Sequence, residues 1–278
     1  MRPTDDPASA EDHDRGEFPP DGAANPPRSW KQAAPREFFD RPVLTVAPAL
    51  LGCVLVHETG EGLVAAEIVE VEAYRGESDP ASHAFRGRTA RNAVMYGEPG
   101  HAYVYFTYGM HFCVNLVCQP AGEAAAVLLR AGRVVEGAGL AAARRLAGSR
   151  GTARAPADMP DDGGSRAGAA SGGGRVVAER ELARGPARLC QALAIGRAQN
   201  GADVCDPASP LRLLIPAGFA GVPAASVSHG PRVGVRNGAE TQWRFWVAGE
   251  PAVSAYRPYL PRRRSAPARQ ADSPWPPA

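Results

Sequence analysis

The first candidate for chemistry is a pair of glutamates two residues apart in the segment VEVEAY, residues 69–74. Side chains alternate between the faces of a strand, so Glu70, Glu72 and Tyr74 would share one face and the apolar residues the other. Taken alone, the pattern is more typical of an ordinary strand with one solvated face. The tyrosine and the dense polar segment that follows favour a site instead.

That polar segment, residues 79–92, is predicted to be a loop. It carries Arg86, Arg88 and Arg91 within six residues, a composition typical of loops that contact phosphate. An arginine cluster is more often a solvated surface, and His83 in the same loop is by itself a weak signal. The three arginines are therefore candidates for binding a DNA backbone only if a site lies beside them.

A β-hairpin is predicted next, because apolar strands at 102–106 and 112–118 flank the turn sequence Tyr108-Gly109-Met110. Large side chains at a hairpin tip are costly to expose without a partner. Tyr108 and Met110 would suit a wedge pushed between base steps in the minor groove of DNA. A tip folded back on its own core explains the pattern equally well.

Other side chains of the predicted strands could line a site. Tyr103 and Tyr105 share one face of the first hairpin strand. Asn115, in an otherwise apolar strand, is either a hydrogen-bonded core amide or a reader of bases. Arg130 ends the apolar run 127–130 and needs a carboxylate or phosphate partner, for which Glu72 is the natural candidate.

Strands dominate the elements that must position these residues. Apolar runs and alternation predict strands at 53–57, 64–74, 102–106, 112–118, 125–131, 232–235 and 243–247. Helices are predicted at 136–146 and 186–195, and between Asp40-Pro42 and Gly52, where Pro48 would shorten the helix or shift its cap to Thr45. The fold class is α+β: a single mixed domain with a mostly antiparallel curved β-sheet, a protruding β-hairpin and flanking helices.

Composition separates this domain, residues 35–260, from two tails. Residues 1–34 are acidic and proline-rich, and 261–278 are rich in proline and arginine, so both are predicted to be disordered. Within the domain, the glycine- and alanine-rich stretch at about 148–175 is predicted to be a flexible insertion.

The overall composition excludes several classes of protein. A chain of 278 residues with 44% apolar content can bury one sizeable core. Its net charge of +2 does not by itself indicate a nucleic-acid-binding protein. The five cysteines are scattered without a CxxC pair, which argues against a zinc site and a secreted disulfide framework. Neither a signal peptide nor a membrane-spanning run is found, so a reducing cytoplasm is expected.

Six segments in order across residues 36–254 resemble the alkyladenine DNA glycosylase family, also called 3-methyladenine or methylpurine-DNA glycosylases. They are EFFDRPVLTVAPALLG, EIVEVEAYRGESDPASHAFRGRTARN, PGHAYVYFTYGMHFCVNLV, AVLLRA, GPARLCQALAI and PRVGV…WRFWV. The resemblance implies that Glu72 is the general base that activates water. It implies that Arg130 helps to hold that water and Glu72.

The same resemblance implies how a damaged base is selected. Tyr74, His83 and Tyr105 would form aromatic walls around the flipped base. Asn115 would disfavour guanine by crowding its exocyclic amino group, and Tyr108 would fill the gap left in the duplex. The expected activity is excision of 3-methyladenine and 7-methylguanine, with hypoxanthine and ethenoadenine accepted by some members of the family.

The expected enzyme is a monofunctional glycosylase of base-excision repair. Its partner would be double-stranded DNA containing damaged purines, and it would act as a monomer without cofactor or metal, in the cytoplasm and associated with the nucleoid. The only lysine is Lys31, in the N-terminal tail. A lyase would need an amine held at the sugar to form a Schiff base, so no lyase activity is expected.

Two other functions fit parts of the pattern. Glu70 and Glu72 would lie about 7 Å apart on a strand, inside the window of roughly 6.5–9.5 Å typical of inverting glycoside hydrolases. A non-catalytic nucleic-acid-binding module would keep the hairpin and the arginine loop but would have no need of Glu72.

Overall fold

The computed structural model describes residues 32–107, 109–151 and 176–259, with backbone alone at 149–151. The described residues do not include Tyr108, residues 152–175 of the predicted insertion, residues 1–31 of the predicted N-terminal tail with Lys31, or any of the predicted C-terminal tail at 261–278. Residues 32–34, assigned to the tail by composition, belong to the domain: two of them form a short strand, and Ala34 is buried.

One mostly antiparallel sheet, curled on itself, organises the domain and confirms the α+β fold class. Its strands are β1 (Gln32–Ala33), β2 (Val54–Thr59), β3 (Gly62–Tyr74), β4 (Ala102–Thr107), β5 (His111–Val117), β6 (Ala126–Glu136), β7 (Leu211–Ile215), β8 (Val227–Gly230) and β9 (Arg244–Val247). Their order is β1-β7-β2-β3-β6-β5-β4, and β9 pairs with both β3 and β8. The first part of β3 pairs with β2 and its last part with β9, while β6 lies along its other edge.

A β-bulge interrupts β3 just before the candidate glutamates. The register against β6 shifts between Ile68 and Glu70 and again between Glu70 and Val71. Ile68 and Val71 consequently both face the main core, whereas Val69 packs in a separate small cluster. The prediction that Val69 shares a face with Val71 is therefore wrong, because a bulge adds one residue to the strand and resets its alternation.

The helices cover the core side of the sheet. They are α1 (Arg36–Phe39), α2 (Val43–Ala49), α3 (Ala138–Gly151) and α4 (Pro186–Ala192). Helix α2 begins after Pro42, so the shift of its cap to Thr45 does not occur, and Pro48 falls in its last turn. Helix α3 runs past the predicted end at 146 into the predicted insertion. Helix α4 ends before 195, where Ala194 adopts a positive φ of 53°.

The late strands differ most from the prediction. Residues 232–235 are not a strand: Gly234 has a φ of +68°, and the backbone N–H of Val233 donates to a side chain instead of a strand ladder. The strand in this region is β8, a few residues earlier, and β7 was not predicted. Of the helices in the described parts of the chain, none has the length and apolar character needed to cross a membrane.

Candidate active site

A cavity of about 460 Å³ opens between β3, the β4–β5 hairpin and two loops. This volume is typical of small-molecule sites. Most of the residues singled out in the sequence contribute to its lining: Glu72, Tyr74, His83, Arg91, Tyr103, Tyr105, Asn115 and Arg130. Residues far apart in sequence therefore converge on one site.

Glu72 is fully buried, and both of its carboxylate oxygens are held. Oε1 accepts a hydrogen bond from the Val233 backbone N–H at 2.7 Å and lies 3.2 Å from Nη1 of Arg130, while Oε2 accepts one from the Tyr74 hydroxyl at 2.8 Å. Burial, followed by the charge of Glu72, raises the pKa of Tyr74 well above its usual value, so this hydroxyl stays a donor. The contact predicted between Glu72 and Arg130 is confirmed.

Glu70 is also fully buried, but it is not among the residues that line the cavity. Its carboxylate accepts hydrogen bonds from Nε of Arg130 at 2.8 Å and Nε of Arg244 at 2.7 Å, and from the backbone and hydroxyl of Ser254. Burial by itself raises the pKa of Glu70, but the two arginines and Ser254 outweigh it and hold that pKa below its usual value. Neither glutamate therefore lies on a solvated face.

Arg130 joins the two glutamates from below the cavity. Burial opposes its charge, but Glu72 and Glu70 raise its pKa above the usual value, so the guanidinium remains positive. Together with Arg244 it balances the two carboxylates. Removing one member of such a buried pair leaves an uncompensated charge and is strongly destabilising.

Aromatic rings form the walls of the cavity. Tyr103 and Tyr105 lie on the same face of β4, as predicted, with ring centroids 5.6 Å apart and nearly parallel planes. The ring of His83 meets Tyr105 edge-on at 4.5 Å, and its Nδ1 lies 3.1 Å from the Tyr103 hydroxyl. His83 is exposed on its outer side, but the surrounding protein desolvates the ring, and this desolvation, followed by the charge of Arg91, lowers the pKa of His83 and favours a neutral imidazole near pH 7.

Asn115 lies on the same wall, directly across the hairpin from Tyr103. It is only 5% exposed, and its Nδ2 donates to the Tyr103 carbonyl at 3.1 Å. Sequence left open whether this asparagine is a core amide or a reader of bases. In the structure the amide of Asn115 is hydrogen-bonded, and the residue also lines the cavity.

Arg232, a residue not singled out in the sequence, packs against the ring of Tyr74. Arg232 is 1% exposed, and its guanidinium carbon lies 4.7 Å from the Tyr74 ring centroid and 5.1 Å from that of Trp243. Both of its terminal nitrogens bond to Asp79, at 2.5 and 2.8 Å, and one also reaches the Ala73 carbonyl. Arg232 lies in PRVGV, one of the segments that carry the family resemblance, and could have been identified from it. It was overlooked because that segment was interpreted as a strand.

The arginine loop lies at the rim of the cavity. Arg86, Arg88 and Arg91 are exposed, and none makes an ion pair with a carboxylate in the described residues. Only Arg91 lines the cavity, and its Nη2 donates to the Phe106 carbonyl at 3.3 Å. On the facing loop, Arg236 also lines the cavity and is exposed, which the sequence analysis missed.

The hairpin tip presents apolar side chains to solvent. Met110 is 36% exposed and Phe106 39% exposed. A tip buried in its own core, the alternative left open by the sequence, is not what the structure shows for Met110. Tyr108 falls outside the described residues, so its predicted role stays a prediction. Across the described ranges, no three histidine, cysteine, aspartate or glutamate side chains are grouped to hold a metal ion.

Comparison with known proteins assigns the family. The family model described as Methylpurine-DNA glycosylase matches residues 37–251. Relatives named "Putative 3-methyladenine DNA glycosylase" include one from Streptomyces avermitilis, 51% identical over 82% of this chain and 94% of the relative. Another, from Leifsonia xyli subsp. xyli, is 50% identical over 80% of this chain and 92% of its own length. The chain belongs to the methylpurine-DNA glycosylase family and is a DNA-repair glycosylase.

Proposed function

We propose that this glycosylase hydrolyses the N-glycosidic bond of alkylated purines, 3-methyladenine and 7-methylguanine first among them, and that hypoxanthine and ethenoadenine are further substrates. One observation carries the proposal. Among the described residues that line the cavity, Glu72 is the only carboxylate, and it lies beneath aromatic walls. A planar base enclosed by those walls would place its sugar bond within reach of the carboxylate.

The walls suit a cationic base. A base within a duplex must be extruded before an enzyme can reach its sugar bond. Alkylation at N3 or N7 makes the purine cationic, and a cation against an aromatic face gains about 0.5–2 kcal/mol. A neutral His83 fits this role, because an imidazolium would repel the positive base. The names of the relatives, which specify 3-methyladenine, support the same substrate class.

The chemistry then needs one water and one base. As the purine leaves with the electrons of the glycosidic bond, positive charge develops on the sugar, and the Glu72 carboxylate stabilises it. Water attacks C1′ from the side of Glu72, which takes its proton. Tyr74, Arg130 and the Val233 N–H fix the carboxylate, so little reorientation is needed.

Burial raises the pKa of the Cys113 thiol in the cavity to about 11, so it stays neutral and is a poor nucleophile.

The geometry disfavours the two alternatives. An inverting glycoside hydrolase needs two carboxylates facing the substrate, but Glu70 is turned away from the cavity and accepts four hydrogen bonds. A non-catalytic binding module would gain nothing from a buried glutamate held beneath an aromatic pocket, since burying that charge is costly. Action as a monomer, in the cytoplasm and on the nucleoid, is part of the same proposal. Action without a metal or cofactor is part of it too, since the steps above use side chains and water alone.

The test is base release from a panel of oligonucleotides, each carrying one damaged purine. Glu72→Gln should still bind these duplexes but lose excision by at least about 10²-fold, as expected when a general base is removed. Binding to a duplex with an abasic-site analogue supplies the control for folding. Near-normal turnover in this variant would sink the assignment of Glu72, and a wild-type protein that released no damaged purine would sink the substrate class.

A further inference from the structure

The cavity face of the β4–β5 hairpin becomes less buried toward its tip. Tyr103 and Asn115, directly opposite each other at the inner end, are 1% and 5% exposed. Thr107 and His111, opposite each other next to the tip, are half-buried, and both line the cavity. A flipped nucleotide enters base first. Its base would thus reach the inner end, while its sugar and phosphates stay at the outer pair.

His111 at this outer pair has unused hydrogen-bonding capacity. Its imidazole makes no hydrogen bond within the described residues, and its Nδ1 is enclosed by protein. By contrast, Nδ1 of His57 meets the Leu193 carbonyl at 2.6 Å, and that of His83 meets the Tyr103 hydroxyl. An enclosed polar atom without a partner costs free energy, so the ring gains if it turns to bring that nitrogen to a ligand in the cavity.

The surroundings of His111 indicate what that ligand is. Thr107 lines the same end of the cavity, and Arg91, which also lines it, donates to the carbonyl of the neighbouring Phe106. Arg91 has no carboxylate partner in the described part of the chain, so its charge is free to meet an anion. A hydroxyl, an imidazole N–H and a guanidinium match the acceptor oxygens of a phosphodiester.

We propose that His111, with Thr107 and Arg91, forms the subsite for one phosphate that flanks the flipped nucleotide. No hydrogen bond within the described residues holds the His111 ring in one orientation, so a phosphate oxygen can draw one of its nitrogens toward the cavity. The contact holds the sugar at a set distance from Glu72 and thereby contributes to orientation rather than to proton transfer. This inference rests on the proposed function, since it assumes that a nucleotide enters the cavity.

Methylphosphonate substitution tests the subsite. The probe is a duplex with a tetrahydrofuran abasic-site analogue, in which the phosphate on its 5′ or its 3′ side is replaced by an uncharged methylphosphonate. For the wild type, one of the two replacements should weaken binding about tenfold, the loss expected for a hydrogen bond to a charged group. His111→Ala should weaken binding of the unmodified duplex by a similar factor, and the same methylphosphonate should then cost little more.

Matched variants keep the result interpretable. His111→Asn carries an amide nitrogen close to the position of Nδ1 and should recover part of the affinity, while His229→Ala, at an exposed position of β8 outside the cavity, should behave as the wild type. Should His111→Ala not fold, His111→Phe keeps a ring without nitrogens and serves the same comparison. Insensitivity of the wild type to both replacements, or an undiminished methylphosphonate effect in the variant, would overturn the subsite. Absence of base release by the wild type would instead count against the proposed function.

Discussion

Glu70 and Glu72 are identical residues two positions apart, and their surroundings give them different roles. Glu72 borders the cavity and keeps three donors, whereas Glu70 is surrounded by Arg130, Arg244 and Ser254. The sequence predicted that both glutamates lie on one face and that Arg130 needs a carboxylate. It could not predict which glutamate faces the cavity, because Arg244 and Ser254 approach from more than 170 residues away.

The acid sensitivity of the fold should depend on Glu70. Its pKa is lowered in the folded state, so its contribution to stability is present above the ordinary carboxyl pKa and is lost as pH falls through the folded value. Glu70→Gln should lose about 3–5 kcal/mol of unfolding free energy at neutral pH, because Arg244 loses its carboxylate partner and Arg130 loses one of its two. On acidification the stability curves of variant and wild type should converge.

Urea unfolding at a series of pH values between 7 and 3 measures this effect. Glu67→Gln is the control, since Glu67 pairs with an Arg133 that is 47% exposed, and such pairs are worth about 1 kcal/mol or less. Parallel curves for Glu70→Gln and the wild type over the whole range would show that Glu70 does not carry the acid sensitivity.

Asn115 should act as a filter against guanine. Its amide is tied to the Tyr103 carbonyl and so cannot swing aside to make room for an exocyclic amino group. Asn115→Ala should leave excision of 3-methyladenine within a few-fold and raise release of unmodified guanine about 10–200-fold, the usual size of steric discrimination in a pocket. Asn200→Ala, which removes a bond to β4 outside the cavity, is the control for general loosening. Unchanged discrimination would reject the role.

At the scale of elements, the sequence predicted those structures that depend on residues close together in the chain. The hairpin β4–β5 was predicted almost to its ends, because alternation and the glycine at its turn are local signals. The bulge in β3 was missed, since it exists only relative to β6. The loop at 231–238 resembles a strand in sequence, yet its backbone is needed elsewhere: the Val233 N–H supports Glu72, and Arg232 supports Tyr74.

The hairpin tip should assist base flipping. Filling the gap in the duplex offsets an unstacking cost of a few kcal/mol, so Tyr108→Ala should lower the flipped population about tenfold or more. A fluorescent base analogue next to the lesion would report the change. Excision of lesions that are already poorly paired should be spared. Tyr256→Ala, which removes an exposed aromatic side chain outside the cavity, is the control. Flipping that persists at the wild-type level would make the tip a structural turn.

At the scale of the whole molecule, charge placement matters more than net charge. The total of +2 does not indicate a DNA-binding protein, but nine arginines in the described residues, Arg133, Arg184 and Arg212 among them, are tied to carboxylates. Arg91 and Arg236, at the rim of the cavity, make no such ion pair in the described residues. Composition cannot distinguish bound arginines from unpaired ones, because the pairing partners come from distant strands and loops.

The scarcity of amines leads to the last prediction, that the enzyme stops at the abasic site. A lyase attacks the sugar with an amine of depressed pKa and forms an imine, but Lys31 is the only lysine of the chain, and the described residues that line the cavity include no lysine. Glu72 can activate water but cannot form an imine. Borohydride should trap no covalent adduct with DNA, and product strands should stay intact until treated with alkali. An adduct that disappears in Lys31→Ala would show instead that this lysine reaches the sugar.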